Sequence, residues 1–229
     1  MPSATLPSIL ARWPGELYVK ALDGVDWMAR FDRSPLAVDG VTPSRWGWRE
    51  MGWTPWTVPT AIHPAREGAL AGRLAREAGA VILDLEPYAG FWRGTAADAD
   101  AFLAAYRAET EAPLRISLDH RRLRDGFPYP ALMEAAVDFL PQAYWTDFRR
   151  PWAAVLSEAG AALAPYGKPV EYVLPGNAEP PDFAAAIEWC AERGAATSAW
   201  VWQTIRPENW PTMVPATPTL KELETTPVA

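Results

Sequence analysis

Two carboxylates spaced two apart close a short apolar run, Ala80-Val81-Ile82-Leu83-Asp84-Leu85-Glu86-Pro87-Tyr88. In an extended strand, residues i and i+2 share a face, so Asp84 and Glu86 point one way and Leu83 and Leu85 the other. Gly79 and Pro87 bracket the run, as for a short strand buried on both sides. Same-facing acids at the C-terminal end of such a strand are costly unless they are hydrogen-bonded or used. The chemistry open to them is proton transfer, with one carboxyl held protonated near neutral pH and its neighbour ionised. The bland alternative is one acid capping the next segment and the other solvated.

The segments around this pair alternate between strand and helix. Strands are predicted at Leu17–Leu22, Trp53–Val58, Ala80–Leu85, Leu114–Leu118, Phe139–Tyr144, Val170–Leu174 and Ser198–Trp202. Helices are predicted at Pro64–Ala78, Ala96–Glu111, Pro151–Ala164 and Pro181–Arg193. Thr95 can cap the second helix, Asp98 and Asp100 sit in its first turn, and Phe102, Ala105 and Tyr106 recur at helical spacing. This alternation means βαβ units and a parallel sheet. The expected fold is one α/β domain over residues 1–229, a single (β/α) TIM-like barrel of seven to eight strands, irregular or incomplete. An eighth strand would fall in Pro35–Val41, and a Pro-rich tail from about Pro207 would close irregularly over the barrel. No glycine-rich dinucleotide or phosphate loop occurs, so no cofactor is implied.

In such a barrel the site forms at the C-terminal ends of the strands. Those ends carry Asp23, Trp56, Asp84, Glu86, Tyr88, Ser117, Asp119, His120, Gln142, Tyr144, Trp200, Trp202 and Gln203. Each has a plainer reading. Asp23-Gly24 is a common turn pair, Asp119 faces inward where Arg115 can pair with it, and His120 reads as a loop histidine. Two scattered histidines do not make a His-rich metal site, and no loop pattern supports a Mg²⁺ or Ca²⁺ site. The basic run Arg121-Arg122-Leu123-Arg124 reads as a solvated loop.

The chain has 13 tryptophans. Trp27, Trp46, Trp48, Trp53 and Trp56 crowd the first two βα connections, and Trp92, Trp145, Trp200 and Trp202 lie near other strand ends. Flat amphipathic rings around carboxylates suit the C–H faces of sugars. A net charge of −7 and a pI near 5.0 argue against nucleic acid or an anionic membrane as partner. The lone cysteine, Cys190, excludes an intramolecular disulfide and reads as a buried thiol. No secretory signal and no apolar membrane span is legible, so a soluble protein is expected, cytoplasmic or delivered by a non-classical, for example phage-associated, route.

At these residues a resemblance appears. Leu83-Asp84-Leu85-Glu86, Pro141-Gln142-Ala143-Tyr144 and Trp200-Val201-Trp202-Gln203 together resemble family-25 lysozyme-type glycoside hydrolases and their glycoside-hydrolase-like barrel relatives. The resemblance implies an irregular α/β barrel that cleaves the β-1,4 bond after N-acetylmuramic acid in peptidoglycan. It implies Glu86 as general acid, Asp84 as assisting carboxylate and Asp23 as first-strand acid. Tyr144 and Trp202 would line the sugar subsites, and the strand-end residues Tyr88, Trp56, Asp119, Gln142, Trp200 and Gln203 are the further candidates for holding the glycan. The first strand departs from the family's pattern by reading Tyr18-Val19-Lys20-Ala21-Leu22-Asp23-Gly24, and no clear acid follows Gln203. Two other readings stay open: a non-catalytic glycan-binding or structural barrel, such as a virion component, and a metal-assisted hydrolase.

Overall fold

The computed structural model of the chain describes residues 17–27, 53–125, 130–200 and 204–213. The fold is mixed α/β. Its strands are β1 (Leu17–Asp23), β2 (Asp26–Trp27), β3 (Trp53–Val58), β4 (Val81–Leu85), β5 (Leu114–Leu118), β6 (Phe139–Pro141), β7 (Glu171–Pro175) and β8 (Ala196–Trp200). Between them come α1 (Pro64–Ala78), α2 (Ala96–Glu109), α3 (Pro130–Ala135), α4 (Trp145–Phe148), α5 (Trp152–Leu163) and α6 (Pro180–Ala191), with α7 (Trp210–Met213) after β8.

Strands β1, β3, β4, β5 and β6 run parallel as neighbours in that order, with β2 antiparallel on β1. Strands β7 and β8 form a second parallel pair. Single parallel bridges, Phe139 to Val170 and Gln142 to Val173, link β6 to β7. The expected seven to eight strands of one sheet are therefore corrected to five parallel strands in one sheet and two in another. The ladder stops at Pro141 because Tyr144 already opens α4. Strand β8 lies two residues earlier than Ser198–Trp202. The tail also departs from expectation, since Pro207–Asn209 is a 3-10 turn leading into α7. The strand expected at Pro35–Val41 lies outside the described residues.

The pleat sorts β4 as its sequence dictates. Leu83 and Leu85 pack in the helix-side cluster with Phe102 and Tyr106 of α2. Ile82 faces the other way, in a cluster with Trp56, Val58, Leu140 and Val173. Burying each such apolar side chain contributes about 1.5–3 kcal/mol. Helix α2 begins at the expected cap, where Thr95 and Asp98 bond each other's backbone N–H. Helix α1 packs against α2 closely enough that a Cβ at Gly68 would run into the Phe102 carbonyl.

Polar groups tie distant strands together. The Arg115 guanidinium on β5 donates to the Asp138 carboxylate (2.9 Å), the Tyr18 hydroxyl on β1 (3.0 Å) and Glu171 on β7 (2.7 Å). Tyr18 in turn donates to Glu171 at 2.8 Å. At the opposite end of the strands, Glu67 of α1 shapes the loop after β3. Its buried carboxylate accepts from the backbone N–H of Thr60 (2.7 Å), Ala61 (3.0 Å) and His63 (3.1 Å), and from the Thr60 hydroxyl (2.9 Å). Those bonds hold Ala61 at φ 63, a left-handed conformation that only glycine adopts freely. Glu67→Gln keeps the volume but turns an amide N–H₂ toward these donors. We expect a loss of about 2–3 kcal/mol in urea unfolding, and an unchanged midpoint would show that the loop holds itself.

Candidate active site

Asp84 lies at the penultimate position of β4 at 7% exposure, and Glu86, just past the strand, follows on the same side but more open to solvent. The side-chain nitrogen of Gln142, the residue after Pro141 of β6, donates to Asp84 Oδ1 at 2.9 Å and to Glu86 Oε1 at 2.7 Å. It also lies 3.4 Å from the Ser117 hydroxyl of β5. Trp56 donates its indole N–H to Asp84, and the Asp84 and Glu86 carboxyls are brought together by the one Gln142 donor.

The electrostatics agree with that geometry. Burial, and then the charge of Glu86, push the Asp84 carboxyl from an ordinary 3.8 up to about 8. Burial also raises Glu86 against the donation from Gln142, and the nearby Asp119 charge adds to the rise. Interacting acids titrate together, so the upper step belongs to the pair, which carries one proton at neutral pH. Burial and then the Asp84 and Glu86 charges keep the neighbouring Tyr144 phenol protonated.

A second cluster flanks the pair. Tyr88 donates its hydroxyl to Asp119 Oδ2 at 2.8 Å, and Arg121 grips both Asp119 oxygens at 2.8 and 2.6 Å. Burial opposes the Asp119 charge, yet Arg121 and Tyr88 prevail and hold that carboxyl below its usual range. The Arg121 guanidinium lies 3.5 Å from the centre of the Phe148 ring. The Arg115–Asp119 pair read from the sequence is thus corrected: Arg115 serves Asp138 and Glu171, and Asp119 serves Arg121. Arg121 is a site cation rather than part of a solvated loop. His120 is buried with neither ring nitrogen bonded, rather than lying on a loop surface.

The remaining expected residues fall as follows. Asp23 is half exposed and paired with Lys20 at 2.8 Å. Trp56 is buried at 2% exposure and stacks on Trp200, ring centres 5.3 Å apart, so the accessible face is that of Trp200, at 37% exposure. Gln142 spends its nitrogen on the acids and is a positioning residue. Trp202 and Gln203 lie outside the described residues. Lys20, which pairs with Asp23, was not anticipated, since the strand bulge that brings the two together leaves no mark in the sequence pattern. Cys190 is buried, which pushes its thiol up to about 12.

Among the described residues no group of three or more His, Cys, Asp and Glu side chains is placed to hold a metal ion. None of their helices is long and apolar enough to cross a membrane. No protein-family model, curated protein or solved structure matches the chain.

The raised Asp84 has a measurable consequence. Its folded-state value lies above its unfolded one, so its contribution to stability is complete below about pH 3.8 and is lost as the pH climbs through about 8. The depressed Asp119 acts in a separate, more acidic window, its contribution vanishing as the pH falls below the carboxylate range. Unfolding free energy should therefore decline between pH 4 and 8 in the native protein and much less in Asp84→Asn. Urea titrations across that range test this. An equal decline in the variant would place the proton elsewhere.

Proposed function

We propose that this chain is a glycoside hydrolase that cleaves peptidoglycan or a related polysaccharide by carboxylate acid–base chemistry. The observation that carries the reading is the Asp84–Glu86 pair, two proton-sharing acids clamped by one Gln142 nitrogen at the C-terminal ends of parallel strands. The Asp-x-Glu spacing also matches the family-25 resemblance noted in the sequence. An irregular (β/α) barrel is the architecture we infer to carry the pair. Supporting it, Tyr18 of β1 bonds Glu171 of β7, and Trp56 of β3 stacks on Trp200 of β8. In a flat sheet several strand spacings of ~4.8 Å would separate these partners.

The residues divide the work by depth. Glu86, on the open side, donates its proton to the leaving glycosidic oxygen. Once that shared proton has left the pair, Asp84, held by the Trp56 and Gln142 donors, is the anion that faces the positive charge developing on the sugar. On a 2-acetamido sugar, Asp84 accepts the amide N–H and turns the acetyl oxygen toward the anomeric carbon. That oxygen bonds the carbon as the glycosidic bond breaks, a substrate-assisted route. Glu86, now ionised, then takes a proton from the water that opens this intermediate, which restores the pair. Trp200 offers its ring face to the sugar, and the Arg121–Asp119–Tyr88 group fixes the wall beside Glu86.

The test incubates the protein with peptidoglycan and a panel of soluble polysaccharides and counts new reducing ends across pH. Cleavage should follow a bell-shaped profile, and Glu86→Gln should lose about 10²–10⁴-fold in turnover with glycan affinity nearly intact. Trp200→Ala should instead weaken binding by ~1–3 kcal/mol, by analogy with base-on-aromatic stacking. Binding without new ends at any pH would replace the enzyme with a glycan-binding barrel. Neither binding nor cleavage would leave a structural role, as in a virion.

A further inference from the structure

Arg121 is held more firmly than a solvated surface arginine. Asp119, only 3% exposed, accepts from its backbone N–H at 3.1 Å, from Nε at 2.8 Å and from Nη2 at 2.6 Å. The Phe148 ring covers one face of the guanidinium, its centre 3.5 Å from Cζ. Asp119 is itself pinned by the Tyr88 hydroxyl at 2.8 Å. The Arg121 side chain nevertheless stays 38% exposed. A guanidinium carries two coplanar forks, one from Nε and Nη2 along its side and one from Nη1 and Nη2 at its tip. Asp119 fills the first. Among the described residues nothing bonds Nη1, so the second is open.

Arg121 is anchored in the same tier as the acids. Asp84 is level with Ser117 and Leu85 with Leu118, so Glu86 and Asp119 follow side by side, on strands ~4.8 Å apart. Gln142 closes the tier. Its backbone N–H donates to the Leu118 carbonyl at 2.9 Å and its side chain to Glu86 at 2.7 Å. On the other side of the pair, Trp56 of β3 carries the exposed Trp200 ring. The acids thus lie between an indole platform on the β3 side and an open guanidinium fork on the β5 side.

We propose that Arg121 is a specificity-determining residue whose open fork takes the carboxylate of an acidic sugar, so that the glycan of this site is anionic. The proposal names the substrate class of the acid–base site described above and rests on that reading for its catalytic meaning. Neutralising Asp119 needs only the first fork, and neither the ring beneath nor the open tip. A carboxylate presents two oxygens in one plane, which matches the second fork. With Phe148 against one face, an acceptor lying in that plane fits better than a tetrahedral one. A guanidinium already fixed by Asp119 and Phe148 loses little freedom when the ligand arrives. The chain's net charge of −7 repels a long polyanion at a distance, so recognition is short-ranged, one carboxylate to one arginine. That carboxylate sits either on the sugar ring, as in a uronic acid, or on a lactyl ether.

Isothermal titration of the full-length protein with matched oligosaccharides tests this. A hyaluronan tetrasaccharide supplies the ring carboxylate. A peptide-free disaccharide of N-acetylglucosamine and N-acetylmuramic acid supplies the lactyl carboxylate, and each is paired with its methyl ester. At least one acid should bind about 10–100-fold more tightly than its ester, as for a hydrogen-bonded charge, and the one that does identifies the source. In Arg121→Gln that ratio should fall to near unity, and Arg121→Lys should recover only part of it, since an ammonium has no fork. Should Arg121→Gln fail to fold with Asp119 buried and unpaired, Arg121→Gln combined with Asp119→Asn removes both charges and reads the same ratio. Equal affinity for acid and ester, a preference that survives the loss of Arg121, or no binding of either acid would overturn the proposal. New reducing ends are counted separately. A carboxylate preference in a protein that cuts neither glycan upholds Arg121 and overturns the hydrolase, whereas cleavage indifferent to the carboxylate overturns Arg121 alone.

Discussion

Arg115 is the group on which the arrangement of the strands depends. Its guanidinium is largely removed from water, with a side chain 12% exposed, and a buried charge left unpaired costs several kcal/mol. Here the Asp138 carboxylate, the Tyr18 hydroxyl and Glu171 all accept from it. These partners come from the start of β1, the turn before β6 and the start of β7. Satisfying one cation thus fixes where the first and seventh strands stand relative to the fifth. Replacing any one partner would leave the others holding a partly unmet charge, which makes the cluster an all-or-none device.

The period of two along β5 then turns this anchor into a site. Arg115, Ser117 and Asp119 follow one another on one face. The first belongs to the buried network, the second sits beneath Gln142, and the third meets Tyr88 and Arg121. Strand β4 does the same with Ile82, Asp84 and Glu86, passing from apolar core to acid to the more open acid. Along β4 polarity thus rises toward the C-terminal end. The contrast with Glu67 shows what is special about the pair. That acid is equally buried but has four donors converging on it. Asp84 has two neutral donors and a second carboxyl, so part of its charge must be met by a proton instead.

Much of this was legible in the sequence wherever one local pattern decided the outcome. The alternation of β4 gave its two faces, Thr95 and Asp98 gave the start of α2, and Pro64–Ala78 was read to the residue. What escaped depends on long-range pairing. The β6 ladder ends at Pro141, short of the Tyr144 start of α4, and leaves Gln142 just beyond it, where its side-chain nitrogen is captured by acids more than fifty residues earlier in the chain. The partners of Arg115 were misread because Asp119 is nearer in sequence, whereas Glu171 and Asp138 are nearer in space. The Lys20–Asp23 pair was hidden because a bulge changes which residues share a face, and periodicity presumes there is none.

The tryptophans make the same point about depth. Composition marked them as sugar platforms, yet the structure divides a stacked pair between two tasks. Trp56 is sealed inside and turns its N–H on Asp84, while Trp200 covers it and keeps a face toward solvent. The inner ring contributes to the low-polarity setting that keeps a proton on the acids and also donates one of the few bonds that limit that effect. The outer ring shields the inner one, so losing it would both remove a surface for the ligand and wet the acid behind it. On the proposed reading, binding and proton affinity would therefore be coupled through one ring contact. A glycan laid on Trp200 would further exclude water from the pair and strengthen every charge interaction within it.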